Sequence, residues 1–413
     1  MSLPAEPAPA GPPSLLQQRS FVLYWCGRTS TTVAYAMQTV AVGWQIYDLT
    51  GSALDLGLVG LVQFVPILLM TLIVGQLADR FDRRLIICTC QVVKALAVAA
   101  LALGTFNGWL GRDSILAILF VTGTARAFEI PTLHALIPSL VPQPLLLRAI
   151  AASASANQTA VICGPALGGL LYLLGPTTVY ATCAAAYLAA SVLIGLIRPG
   201  PRTSARGPVN LASLLAGFAY IRHNPVLLGV LTLDLFAVLV SGVTGLLPIF
   251  ARDILVTGPV GLGLLRSAPA VGALTMAVYL AHSSIERRIG VTMFASVAVF
   301  SLSIIAFSLS TSLVLSLLAL TVYGASDAIS VVIRQSLIQT RTPNEMLGRV
   351  SAVNSMCTGT SGTLGDFRAG AVAAAFGAVP SVLMGGIAAL IITVAWMRLF
   401  PDLLRVNRLS ASA

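Results

Sequence analysis

Charge is what this chain has least of. Of 413 residues only 9% are charged, against 57% hydrophobic, where soluble domains carry about 25% charged residues. Such a composition cannot cover a water-facing surface, so a soluble globular fold is excluded and the surface must face lipid. Lysine is nearly absent: Lys94 is the single one among 24 basic residues. There is no Gly-rich phosphate loop, no H-E-x-x-H and no nucleophile elbow, which argues against an ATP-driven pump, a zinc hydrolase and a serine hydrolase. The six cysteines (Cys26, Cys88, Cys90, Cys163, Cys183 and Cys357) fall mostly in apolar stretches and read as small packing side chains. Cys88 and Cys90 form a C-x-C without the further His or Cys spacing a metal needs, so neither metal nor cofactor is expected. Residues 1–20 lack the basic start, apolar core and cleavage site of a secretory signal; rich in proline, they read as a disordered tail.

What is there is a succession of apolar windows. A spanning helix needs roughly 20 such residues, and twelve windows qualify, near 21–46, 55–78, 84–106, 114–137, 146–174, 177–197, 226–250, 259–281, 289–310, 312–335, 347–376 and 379–399. The loops between them alternate in charge. One set holds sixteen arginines: Arg19, Arg80, Arg83, Arg84, Arg148, Arg198, Arg202, Arg206, Arg222, Arg287, Arg288, Arg341, Arg349, Arg398, Arg405 and Arg408. The other holds two, Arg112 and Arg252. By the positive-inside rule both termini are cytoplasmic. The net charge of +10 is thereby explained by topology, with no nucleic acid as partner. The expected organisation is a tail (1–20), a six-helix half (21–197), a linker (198–224), a second six-helix half (225–400) and a tail (401–413). Within the linker Leu214, Leu215, Phe218 and Ile221 share one side of an amphipathic helix at the interface.

The halves repeat at an offset of 201 residues. Leu136-Ile137 matches Leu337-Ile338, Pro142 matches Pro343, Leu146 matches Leu347 and Arg148 matches Arg349. Two further motifs are present. Gly75-Gln-Leu-Ala-Asp79-Arg80-Phe-Asp82-Arg83-Arg84 follows the second span, and Gly164-Pro165-Ala-Leu-Gly168-Gly169 lies in the fifth. The first resembles the signature of the major facilitator superfamily between its second and third helices, G-x-x-x-D-R-x-G-R-R, with Asp82 in place of the glycine. The second resembles the antiporter motif of that superfamily's exporters. From about residue 15 to 405 the chain is similar to the enterobactin exporters and related bacterial drug–proton antiporters. The resemblance implies an all-α membrane protein of twelve transmembrane helices in two pseudo-symmetric six-helix halves, monomeric, in a bacterial inner membrane. It implies too that Asp79 meets the start of the eleventh helix near Gly348, so that Gly75, Asp79, Arg80, Arg83 and Arg84 form a cytoplasmic gate.

Ionisable groups at membrane depth are costly and mark function. They are Arg28, Lys94, Arg126, Glu129, Asp234, Arg266, Asp327, Arg334, Asp366 and Arg368. In the fold the resemblance implies, helices 1, 4, 7 and 10 line the cavity. These carry Arg28, Arg126, Glu129, Asp234, Asp327 and Arg334, and Arg126 resembles the buried arginine of proton-coupled drug antiporters. Arg126 and Glu129, three apart on one helix, are expected to pair, with Asp327 facing them by pseudo-symmetry and Asp234 nearby. The coupling proton falls to Asp234, Glu129 or Asp327, with Arg126 assisting. The substrate is expected to contact Arg28, Arg126, Asp234, Asp327 and Arg334. Lys94 and Arg266 receive no role, and Asp366 and Arg368 are expected between the halves. The expected activity is proton-coupled efflux of a small amphipathic compound, siderophore- or drug-like, driven by the proton gradient. Uptake or facilitated diffusion of a metabolite is the second transport reading. A non-transporting receptor or an intramembrane enzyme has no evident need for the two-fold repeat.

Overall fold

In lipid a backbone N–H or C=O finds no water, so an apolar segment of spanning length satisfies its polar groups by folding as a helix. The structure, a computed structural model, describes residues 14–197, 211–283 and 288–407, without the side chains of 71–80 and 211–214. Within them the chain forms helices and no strand. The first half comprises α1 (Arg19–Thr50), α2 (Ala53–Arg80), α3 (Arg83–Phe106), α4 (Arg112–Leu136), α5 (Leu146–Leu171) and α6 (Pro176–Gly195). A short helix, α7 (Leu211–His223), precedes the second half. That half comprises α8 (Pro225–Ser241), α9 (Val243–Ile249), α10 (Gly258–His282), α11 (Ile289–Leu309), α12 (Leu313–Arg341), α13 (Asn344–Phe376) and α14 (Ala378–Leu399), then one turn, α15 (Pro401–Leu404). α8, α9 and a π-helical turn over Phe250–Ile254 make up one broken span, the seventh. Twelve spans result. Ten are long and apolar enough to cross a bilayer; α1 and α13 have the length, at 32 and 33 residues, but carry more polar side chains.

Several helices outrun the apolar windows. α12 continues to Arg341 and α13 begins at Asn344, because one side of each end stays packed: Leu337, Ile338 and Val350 are fully buried. α7 rests on α13, with Gly217 against the Arg349 backbone and the Tyr220 hydroxyl donating to the Arg341 carbonyl at 3.0 Å. Its Ile221 is buried, whereas Leu215 and Phe218 face outward. Residues 401–406 pack into the second half rather than trailing free: Leu403 and Val406 are buried, and Gly290 N–H donates to the Val406 carbonyl.

The halves pack alike. α1 on α5 and α6, α2 on α4, and α3 on α4 and α6 correspond to α8 on α13 and α14, α10 on α12, and α11 on α12 and α14. The two principal contacts between halves, α5 with α10 and α13 with α2, are symmetry mates. Small residues let these backbones approach. A Cβ on Gly169 would stand 2.4 Å from the Pro259 carbonyl oxygen, and one on Gly370 would stand 2.7 Å from that of Ala53. At the 201-residue offset Gly169 matches Gly370, and Gly164 matches Gly365.

The Gly169–Pro259 and Gly370–Ala53 contacts lie at the end of the helices opposite Arg19 and Leu404, here the far end. Charge reinforces them: Arg252 pairs with Asp48 at 2.9 Å, and the Tyr47 hydroxyl donates to Asp253. Nearby the Ser267 hydroxyl donates to the Ile162 carbonyl at 2.6 Å. Toward the terminal end no described atom lies within 4 Å of where a Cβ on Gly348, Gly359 or Gly362 of α13 would stand. The far end is therefore closed. Gly169→Ala should cost about 1–3 kcal/mol through overpacking and lower the melting temperature of the purified protein. Gly362→Ala, which meets only open space, should not lower it.

Candidate functional site

Three polar groups occupy the interior. The first belongs to the N-terminal half and is built on two buried charges. Lys94 Nζ on α3 lies 2.5 Å from Glu129 Oε2 on α4, and the Gln91 amide donates to the other carboxylate oxygen and, at 2.6 Å, to Thr31. Lys94 also lies over the Tyr187 ring, 4.4 Å from its centroid, and the Tyr187 hydroxyl donates to Gln38 at 3.0 Å. This network borders a cavity of about 410 Å³, whose other walls include Arg28, Arg126, His134 and Asn157. Arg28 donates to the Tyr24 hydroxyl at 2.9 Å, and the Arg126 guanidinium lies 3.8 Å from the centroid of the Tyr35 ring.

The second group belongs to the C-terminal half. Asp234 on α8 pairs with Arg334 on α12, both buried. Asp327, two turns before Arg334, lines a small cavity of about 10 Å³ with Asp234, Ser326 and Ser330. Among the described residues Asp327 makes no hydrogen bond or ion pair.

The third group lies where the seventh span breaks: Asp366 borders a cavity walled by both halves, while Arg368 contacts Val240 and Gly385 of its own half. Gly242 adopts a left-handed conformation, φ +50°, and a Cβ there would stand 2.3 Å from the Gly365 carbonyl oxygen of α13, so glycine is required on both counts. The break frees carbonyls at the end of α8 and N–H groups at the start of α9. α13 answers both. Arg368 donates to the Val240 carbonyl at 2.5 Å. Asp366 accepts from Gly245 N–H at 2.9 Å and from the Thr244 hydroxyl at 2.9 Å. Each charge thus meets the helix-dipole end of opposite sign. Asp366 borders a cavity of about 210 Å³ with Arg126, Arg266, Gln63 and Tyr35.

The expected pairing is corrected by this geometry. Arg126 does not pair with Glu129, because the Lys94 ammonium reaches that carboxylate from the neighbouring helix and compensates a buried charge that an i, i+3 neighbour would meet only at the helix surface. Asp327 and Asp234 line one small cavity of the second half, and it is Asp234 that pairs with Arg334. Lys94 and Arg266, left without a role by the sequence, border the larger cavities. An ionisable residue at membrane depth was the available signal for both; nothing in the spacing names their partners.

The motif residues separate in the same way. Asp82 caps α3, accepting from Arg84 N–H at 2.9 Å. Arg83 donates to the Ala135 carbonyl at 2.9 Å and Arg84 to the Gly195 carbonyl at 2.6 Å, which ties α3 to the ends of α4 and α6 in its own half. The side chains of Gly75, Asp79 and Arg80 lie outside the described residues. Gly164 and Gly168 press on α1 at Ala36 and Met37, while Gly169 and Pro165 meet α10, the Pro165 carbonyl lying 2.5 Å from where a Cβ on Gly263 would be. Glu129→Gln leaves the Lys94 ammonium buried without a carboxylate, so it should destabilise the protein by about 3–5 kcal/mol. The double replacement Lys94→Met/Glu129→Met should recover most of that loss, read as melting temperature in detergent.

The protein family described as transmembrane secretion effector matches residues 10–409. The chain is 29% identical over 403 residues to the enterobactin exporter EntS of Citrobacter koseri, covering 94% of each. It is 25% identical over 338 residues to macrolide efflux protein A of Streptococcus pyogenes, covering 80% of this chain and 83% of that one. Among solved structures, a bacterial homologue of the human lysosomal transporter Spinster, inward-facing and unoccupied, superposes with a TM-score of 0.75 at 14% identity, covering 96% of this chain and 99% of that one. The nucleoside transporter NupG gives 0.71 at 14% identity, covering 92% and 99%. These two likenesses show the fold. The chain is a multi-pass membrane transporter rather than an enzyme, and it belongs to the transmembrane secretion effector family of the major facilitator transporters.

Proposed function

We propose that this protein exports small amphipathic organic compounds, siderophore- or drug-like, across the bacterial inner membrane in exchange for protons, by alternating access. Both termini face the cytoplasm in this reading, so the closed far end is periplasmic and the cavities open toward the cytoplasm, where an exporter collects its substrate. The two relatives described as exporting enterobactin and macrolides support the direction.

One observation carries the coupling. Asp234 is paired with Arg334, and Asp327 lines a small cavity beside Asp234 with no cation of its own among the described residues. Two carboxylates against one guanidinium leave one negative charge uncompensated at membrane depth, and a proton supplies the balance. Asp327 is the group that takes it, because Asp234 already has its partner. Glu129, held by Lys94 and Gln91, is structural. Binding of the proton on one side of the membrane and its loss on the other gives the two states of the transporter different charge, which is the differential interaction that exchange requires.

The test uses proteoliposomes with an internal pH dye and a panel of catecholate siderophores, macrolides and lipophilic cations. Wild type should move protons against at least one compound. Asp327→Asn should pass the same compound down its gradient with no proton movement. If wild type carries compounds across while every one of them leaves the dye unchanged, antiport is wrong and facilitated diffusion replaces it.

A further inference from the structure

The central cavity has the opposite imbalance. It is lined by two guanidinium groups from opposite halves, Arg126 on α4 and Arg266 on α10. Each has a carboxylate in its vicinity, and each carboxylate is already engaged. Glu129 is held by Lys94 and Gln91. Asp366 is held by Gly245 N–H and the Thr244 hydroxyl, because the broken seventh span needs an acceptor at the start of α9. Arg126 is left with the face of Tyr35. Among the described residues Arg266 makes no hydrogen bond or ion pair, and its Nε is buried with no acceptor. The tip of Arg266 reaches across to the N-terminal half, where its Nη2 would stand 3.2 Å from a Cβ on Gly43.

Two guanidiniums against the one carboxylate that borders this cavity, Asp366, leave positive charge in excess at membrane depth, and a guanidinium presents its donors in a fork that matches an oxyanion. Beside them the same cavity is walled by Leu56, Val59 and Phe64. We propose that this cavity is the binding site for the anionic group of an amphipathic substrate, a carboxylate or comparable oxyanion held between Arg126 and Arg266, with its apolar body along α2. Because the arginines belong to different halves, one anion bridges them only while the halves stand in this arrangement, so binding reports the conformation. The site rests on the transport reading of the cavity, not on proton coupling.

The test is a calorimetric titration of the full chain in nanodiscs of zwitterionic lipid, with no proton gradient. The probes are naphthoate, its methyl ester and naphthylmethylammonium. Naphthoate should bind, and the ester and the cation should bind at least tenfold more weakly. Arg266→Gln and Arg126→Gln should each weaken naphthoate by about tenfold or more, and Arg266→Lys should recover part of the loss. The double variant should lose less than the two single losses multiplied together, since one anion needs both arginines. Equal or tighter binding of the ester or the cation to wild type overturns the proposal without recourse to any variant. So does unchanged naphthoate affinity in monodisperse Arg266→Gln. Adding phosphatidylglycerol to the nanodisc separates a lipid headgroup from a soluble anion: unchanged naphthoate affinity supports the soluble substrate, and displacement by the lipid overturns it. Proton-silent transport with intact naphthoate binding would sink the coupling and leave this site standing; proton movement without naphthoate binding would do the reverse.

Discussion

The interior of this protein is organised by the cost of leaving a polar group unpartnered where no water reaches it. A helix of apolar residues answers for its own backbone, but the ionisable side chains at membrane depth answer through one another or through polar groups that the fold brings to them. Lys94 is matched to Glu129 and Arg334 to Asp234. Arg368 and Asp366 are matched to the broken backbone of the seventh span. Once those matches are made, four remain without an ion pair among the described residues: Asp327, and the cations Arg28, Arg126 and Arg266. The functional reading rests on that remainder, because a charge with no internal partner is one that can meet a proton or a ligand.

The second constraint is approach. The halves meet where side chains are absent, at Gly169 and Gly263 on one contact and at Gly57 and Gly370 on its symmetry mate. Backbones that touch directly leave no side chain between them to yield. α13 joins the two constraints. Gly370 packs on α2, while Gly365, Asp366 and Arg368, within the preceding turns, brace the break in the seventh span. The helix that meets α2 across the halves is thus the one that holds the break in the wall of the central cavity.

The internal repeat is preserved in the packing and altered in the chemistry. Gly164 and Gly169 recur as Gly365 and Gly370 and do the same work, pressing on a helix of their own half and on one of the other. Pro165 and Arg126 do not recur: their counterparts are Asp366 and Asp327. Thus at these two positions the first half carries a cation and a proline where the second carries two carboxylates, Asp366 bordering the cavity between the halves and Asp327 a pocket of its own half. An asymmetric substrate fits such a site better than a symmetric one.

Much of this was legible along the chain. Apolar windows of spanning length, the alternation of arginine between loops and the repeat at 201 residues lead to twelve spans in two halves, because in a bilayer helix formation depends on local composition. The helix ends were less legible, since polar residues at the ends of α12 and α13 stay helical when one side is packed. The glycines of the fifth span could be recognised as contacts, though not which helix each would meet. The sequence named every ionisable residue of the site and paired them wrongly. Spacing along a helix brings Arg126 and Glu129 together, yet Lys94 on the adjacent helix takes the carboxylate, and no periodicity records the rotation of one helix against its neighbour. Where the seventh span breaks, and that Asp366 and Arg368 brace it from another helix, was likewise decided by tertiary structure. Composition determined that these charges would be buried; only the packing of helices against one another decided which of them would be left without a partner.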